Sequence, residues 1–202
     1  MIYEKQAGFL TGHSTVFQLI DLYHQIAQSF DSKTHTCVVF CDISKAFDRV
    51  WHKGLIFKLK QPRVRGSLLN WISNYLSNRE HRVIVGQSYS DVKHVNAGVP
   101  QGSVLGPLLF LVYANDITHN ILSITRLFAD DTCLDSTTSN IDDLQGNINH
   151  DLREISKWSK QWLVTLNPNK TVVLSVIANH LCWNSITRFY QQPSIINILE
   201  LH

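Results

Sequence analysis

Leu127-Phe128-Ala129-Asp130-Asp131-Thr132 sets two adjacent carboxylates between short apolar runs, Ile124 to Phe128 before them and Thr132 to Leu134 after. That pattern predicts a β-hairpin with an acidic tip. Aspartate is common at turns because its side chain bonds nearby backbone amides, so the hairpin alone carries no chemistry. A second stretch changes the reading. Val38-Val39-Phe40-Cys41-Asp42-Ile43 is a buried, largely β-branched strand run that closes on a carboxylate, which is costly there unless something cationic sits against it. If the two strands are neighbours in one sheet, Asp42, Asp130 and Asp131 converge, and three crowded carboxylates repel one another unless divalent cations bridge them. Hard oxygen donors suit magnesium or manganese. Two such ions about 3.5–4 Å apart stabilise both the attacking and the leaving oxygen of an in-line phosphoryl transfer. The three carboxylates therefore point to chemistry on phosphates.

The 202 residues, 44% hydrophobic, suffice for one domain with a sizeable core, or for one domain plus a fragment of another. A net charge of +2 is weak support for a nucleic-acid partner. The distribution says more. Lys45, Arg49, Lys53, Lys58, Lys60, Arg63, Arg65, Arg79 and Arg82 crowd one stretch that holds only Asp48 and Glu80 among the acids. Either a solvated helix face or a track for a phosphate backbone fits that stretch. Cys37, Cys41, Cys133 and Cys182 have no paired spacing, which favours structural thiols over zinc or disulfides. The sequence carries no signal peptide and no apolar run long enough to cross a bilayer, so a soluble, intracellular protein with no membrane partner is expected.

In chain order, Val16, Leu19, Ile20, Tyr23, Ile26, Ala27 and Phe30 recur at helical spacing after Ser14, predicting an N-capped amphipathic helix whose apolar face is core. His13 and His24 read as surface or capping residues. Ser44 to Trp51 turns helical after the Asp42 strand, Gly66 to Leu76 reads as another helix, and Pro62 and Gly66 interrupt the two. Arg82 to Gly86 and Val92 to Val95 predict an antiparallel hairpin. The Gly- and Pro-rich loop from Ala97 to Pro107 opens a helix expected to reach Ile117, with Pro107 tolerated in its first turn. Asn140 to Trp162 is the clearest helix, striped by Ile141, Leu144, Ile148, Leu152, Ile155, Trp158 and Trp162. After the turn at Leu166-Asn167-Pro168-Asn169-Lys170, a strand is expected over 171–177, and 178–202 is an unpatterned tail. The order of elements makes an α+β fold: a split βαβ, ferredoxin-like antiparallel sheet with helices on one face.

Four motifs, in order, resemble the palm motifs of reverse transcriptases: Asp42-x-x-x-x-Phe47-Asp48, Gly98-Val99-Pro100-Gln101-Gly102-Ser103, Phe128-Ala129-Asp130-Asp131 and Leu166-Asn167-Pro168-Asn169-Lys170. The likeness is to non-LTR retrotransposons of the LINE or jockey-like kind, and it covers about Gln6 to Ile177. It implies a polymerase palm with partial fingers at 1–177 and an RNA-directed DNA polymerase activity. The implied partners are an RNA template, a DNA primer and a deoxynucleoside triphosphate.

Residue by residue, the resemblance implies that Asp42, Asp130 and Asp131 bind two magnesium ions, with manganese as an alternative, and that the Ile43 backbone carbonyl lies close to one of them. Phe47 resembles a steric gate against a 2′-hydroxyl, and also reads as a core Phe. Gln101 and Gly102 resemble the loop against the incoming nucleotide and template base. Lys170 matches the position that donates a proton to leaving pyrophosphate, and also reads as a solvated turn lysine. Basic finger residues upstream of Gln6-Ala7-Gly8-Phe9 and a thumb after Lys170 are expected to be missing. That leaves a catalytically inactive nucleic-acid-binding remnant as the alternative to an active polymerase. A palm-fold nucleotidyl cyclase or a two-metal nuclease explains the carboxylates but not the Pro100-Gln101-Gly102 loop.

Overall fold

The computed structural model describes residues 2–61 and 64–176; Pro62, Arg63, Cys182 and the tail expected at 178–202 lie outside the described residues. In chain order the elements are α1 (Thr15–Asp31), β1 (His35–Cys41), α2 (His52–Lys60), α3 (Gly66–Leu76), β2 (Arg79–His81), β3 (Ile84–Val85), β4 (Ser88–Tyr89), β5 (Lys93–Val95), α4 (Leu105–Ala114), β6 (Ile124–Phe128), β7 (Asp131–Thr138), α5 (Ile141–Gln161) and β8 (Val172–Val176). They fall into two compact units, one of Lys45–Ala114 and one of Ile2–Ser44 with the chain from Asn115 on. Among the described residues no helix is long and apolar enough to cross a membrane.

The second unit is built on a four-stranded antiparallel sheet in the order β6-β7-β1-β8. β1 takes a central place because its run of Cys37, Val38 and Val39 is apolar on both faces, and all three are fully buried. α5 packs against β7 and β1 through the stripe read from the sequence, Leu144, Ile148, Leu152, Ile155 and Trp158. Its start is fixed by the Asn140 side chain accepting from the Asp142 amide, with Asp142 and Asp143 favourably placed in the first turn. Trp158 is core, as its spacing predicts, and its indole N–H donates to Asp116 at 2.7 Å. Burial pushes the Cys37 thiol up to about 11 and those of Cys41 and Cys133 to about 12, so all three stay protonated and act as packing groups.

α1 begins as its sequence predicts, the Ser14 hydroxyl accepting from the Phe17 amide at 3.3 Å. Its facing does not follow the periodicity. Val16, Leu19, Ile20, Tyr23 and Phe30 are exposed, Tyr23 at 70%, and the buried positions are Leu22 and Ser29. The cause lies in the sheet, where buried Arg126 pairs with buried Asp135 at 2.8 Å. The same guanidinium reaches Asp21 at 2.8 Å and the Gln25 side chain at 2.9 Å, which anchors that side of α1 to the sheet.

In the Lys45–Ala114 unit, α2 packs against α3 and α4. Lys58 is one of the nine clustered cations, yet it is buried, with its ammonium donating to the Tyr113 carbonyl and lying over the Tyr113 ring. It belongs to the core and leaves any backbone track. The expected hairpin is also differently registered. β3 pairs with β4 around Gly86-Gln87, while β5 pairs with β2, so residues 93–95 meet Arg79–His81 and not Arg82–Gly86. A two-residue loop fixes pairing with its immediate neighbours, and the flanking segments can only pair further out. α4 stops at Ala114, short of Ile117, and Asn115–Thr118 tightens into a 3-10 turn.

Candidate active site at the acidic hairpin

Phe128 pairs with Asp131, so only Ala129 and Asp130 form the loop between β6 and β7. β1 runs against β7 to Cys41 opposite Thr132, and one further step of that register would set Asp42 opposite Asp131. On the other side of β1, the Asp42 carbonyl accepts from the Asn167 amide at 2.9 Å and the Ser44 amide donates to the Thr165 carbonyl at 2.8 Å. Backbone groups alternate along a strand, so the Ile43 carbonyl is turned toward β7 and the hairpin. The same two bonds tie the 165–170 turn to the end of β1 and deliver Lys170, whose ammonium stands 3.5 Å from Asp42 Oδ1.

The electrostatics of the cluster follow from this crowding. Burial, then the negative charge of Asp42, lifts the Asp130 carboxyl above its ordinary pKa, against a backbone hydrogen bond and Lys170. Asp131 is lifted by burial and by both Asp130 and Asp42, again with Lys170 opposing. Asp42, only 19% exposed, keeps a buried Oδ2 without a hydrogen-bond partner. Mutually repelling oxygen donors and an unsatisfied buried carboxylate oxygen fit a divalent cation. Among the described residues no group of three or more His, Cys, Asp or Glu side chains is placed to hold a metal ion.

Phe47, Gln101 and Gly102 come together in the other unit. Residues 47–50 and 98–99 are knitted by backbone bonds, the Val99 amide to the Phe47 carbonyl at 2.7 Å and the Gly98 amide to the Val50 carbonyl at 2.8 Å. Gly98 is required there: its φ is +90°, and a Cβ would stand 2.8 Å from the Asp48 carbonyl oxygen. The Phe47 ring is half-buried and stacked on Phe110 with centroids 4.7 Å apart. Gln101 donates from its side-chain amide to Asp48 at 2.9 Å, and Gly102 follows with open space where a Cβ would be. Each unit thus assembles its own share: Asp42, Ile43, Asp130, Asp131 and Lys170 in the sheet, and Phe47, Gln101 and Gly102 in the helical unit.

A cavity of about 320 Å³ between α1 and the sheet has a mainly apolar wall that includes Leu19, Leu22, Phe40, Phe128 and Cys133, with Arg126 and Asp131 also lining it. So apolar a lining does not suit a triphosphate. Sequence reading also left one segment unconnected. Lys5 to Gly8 runs beside the acidic hairpin, its Ala7 amide donating to the Leu127 carbonyl at 2.8 Å and the Leu127 amide to the Lys5 carbonyl at 3.1 Å. No local pattern could link segments so far apart in the chain.

Comparison with known proteins converges on one family. Residues 1–197 match the family described as reverse transcriptase (RNA-dependent DNA polymerase). The probable RNA-directed DNA polymerase from transposon BS of Drosophila melanogaster is 37% identical over 177 residues, covering 84% of this chain and 19% of that protein. The probable RNA-directed DNA polymerase from transposon X-element of the same organism is 37% identical over 173 residues, and the RNA-directed DNA polymerase from its mobile element jockey is 33% identical over 173. These cover 83% and 82% of this chain and 19% of each relative. The chain therefore spans about a fifth of the length of these relatives. Among solved structures, telomerase from Candida tropicalis in complex with a fragment of telomeric RNA superposes with a TM-score of 0.59 at 14% identity, covering 82% of this chain and 30% of that one. The Candida albicans telomerase gives 0.58 at 16%, covering 83% and 31%. At such identity the likeness speaks to the fold, which is that of a polymerase.

Proposed function

The chain belongs to the reverse transcriptase family, and on that premise we propose that the end of β1 and the acidic hairpin are the catalytic centre of an RNA-directed DNA polymerase. The observation that carries this reading is that Asp42 leaves β1 beside β7, which begins at Asp131, with the Lys170 ammonium 3.5 Å from Asp42 Oδ1. Asp42, Asp130 and Asp131 would hold two magnesium ions, or manganese, with the Ile43 carbonyl nearby. When bound, these ions supply positive charge to the oxygens of the phosphate under attack.

The chain's own residues supply the rest. Burial and the neighbouring carboxylates raise the Asp130 and Asp131 pKa values, so protons compete with a metal for these groups. Lys170 holds a proton at Nζ beside Asp42 and passes it to the departing pyrophosphate as the primer 3′-oxygen bonds the α-phosphorus. Phe47, held by Phe110, limits the room beneath the sugar and favours deoxyribose. Gln101, fixed by Asp48, and Gly102 present a loop against the nucleotide and the template base. Lys45, Lys53, Lys60, Arg65, Arg79 and Arg82 supply charge for the backbone of the RNA template and DNA primer.

The test is extension of a DNA primer on an RNA template by the purified chain, with Asp130→Asn as control and a salt titration of binding alongside. Magnesium-dependent extension that Asp130→Asn abolishes supports the reading. Salt-sensitive binding with no extension by either protein overturns it in favour of a nucleic-acid-binding remnant.

A further inference from the structure

We propose that Gln6 is a positioning residue that locks the tip of the acidic hairpin, so that Asp130 and Asp131 are presented to the metal in one fixed orientation; this rests on the assignment of those carboxylates as metal ligands. Gln6 is 2% exposed. Its side-chain oxygen Oε1 accepts from two backbone amides at once, Gly8 at 2.7 Å and Ala129 at 3.0 Å. The second bond matters because Ala129 has φ +57°, a left-handed conformation that alanine keeps only when its surroundings hold it.

Asp130 is the next residue, so any relaxation of Ala129 swings both carboxylates. The approach is close. A Cβ on Gly8 would stand 2.3 Å from the Ala129 nitrogen, so the segment can run against the tip only with glycine at that place. Gln6 also forms a parallel bridge with Leu127, at the open edge of β6, one of the two edge strands of the sheet.

The choice of an amide over a carboxylate follows from the neighbours. Both side chains offer an oxygen that can accept two amide protons, but a glutamate would add a fourth negative charge beside Asp42, Asp130 and Asp131. Glutamine grips the tip without opposing the ligands' ionisation. Groups that orient a ligand in this way are usually worth about 10- to 100-fold in metal affinity.

The experiment measures Mn²⁺ binding by electron paramagnetic resonance, thermal melting and hydrogen exchange of the Ala129 amide in the full chain. Wild type, Asp130→Asn, Gln6→Met and Gln6→Glu are compared. Methionine keeps the volume of Gln6 and removes both acceptors. The expected result is that Gln6→Met melts as a folded protein, binds Mn²⁺ about 10- to 100-fold more weakly than wild type and loses protection at Ala129, while Gln6→Glu keeps that protection. If Asp130→Asn loses Mn²⁺ and Gln6→Met does not, the lock is overturned and the metal assignment stands. If wild type binds no Mn²⁺, or Asp130→Asn binds it unchanged, the metal assignment falls and takes the lock with it. Should Gln6→Met fail to fold, the wild-type exchange decides: an Ala129 amide that exchanges as fast as an open loop overturns the lock, and a slow one in both wild type and Gln6→Glu upholds it.

Discussion

Lys170 Nζ lies 3.5 Å from Asp42 Oδ1, while Asp42 Oδ2 is buried with no hydrogen-bond partner. One oxygen of the carboxylate thus faces an ammonium and the other has no hydrogen-bond partner. Lys170, 67% exposed, is free to move toward a leaving group without unfolding its turn.

If Lys170 is the proposed proton donor, replacing it by methionine removes the transferable proton. Single-turnover nucleotide incorporation should fall on the order of 100-fold, with primer–template affinity changed by less than about twofold. Arginine keeps the charge but holds its proton too tightly, so Lys170→Arg should be nearly as slow. Rapid-quench kinetics decide: wild-type rates in the methionine variant would leave Lys170 as a counter-ion only.

The site should weaken the metal-free fold. Because Asp130 and Asp131 have pKa values raised by burial and by neighbouring carboxylates, the folded chain takes up protons more readily than the unfolded one. That stabilisation is complete below the ordinary carboxylate pKa of about 4 and is lost as pH rises through the raised values. At pH 7 without metal, Asp130→Asn should therefore raise the melting temperature by up to about 3 °C. The gain should vanish near pH 3, and saturating magnesium should reverse the ranking. A metal-free asparagine variant that melts below wild type at pH 7 contradicts the account.

Phe47→Val should admit ribonucleotides. The ratio of kcat/KM for deoxy- over ribonucleotides should drop by about tenfold or more, since a site built around deoxyribose discriminates by contact. Loss of the stack on Phe110 should cost roughly 1–3 kcal/mol of stability as well. Phe110→Leu is the control: it loosens the same stack, and only an unchanged ratio there assigns selectivity to Phe47.

Arg126→Met strands the fully buried Asp135 carboxylate and frees Asp21 and Gln25 of α1. Chemical denaturation should register a loss of about 3–5 kcal/mol, and Arg126→Met combined with Asp135→Leu should recover most of it. A double variant no better than the single would show that α1, and not the stranded charge, bears the cost.

Much of this was legible from the chain. The β1 run, the acidic hairpin and α5 carry their own periodicity and caps, so their bounds agree with the structure to within a few residues. The reading of Asp42 with Asp130 and Asp131 as one site was conditional on strand pairing, and β1 does pair with β7, with Cys41 opposite Thr132. What the sequence hid depends on partners far away in the chain. Arg126 and Asp135 turn α1 against its own periodicity, the Tyr113 carbonyl draws Lys58 out of the basic stretch, and Ala129 recruits Gln6. In each case a polar partner remote in sequence decides a placement that the local pattern does not carry.

The central place of β1 also has a consequence for how the protein is made. Both strands that flank it, β7 and β8, are encoded far downstream. On a ribosome adding about 5–20 residues per second, the emerging His35–Cys41 stretch waits on the order of 10 s for its first neighbour, with both edges unpaired. Such a segment is a site for chaperone capture or for aggregation during synthesis. The nascent chain cannot bring Asp42 beside the acidic hairpin until translation has passed β7.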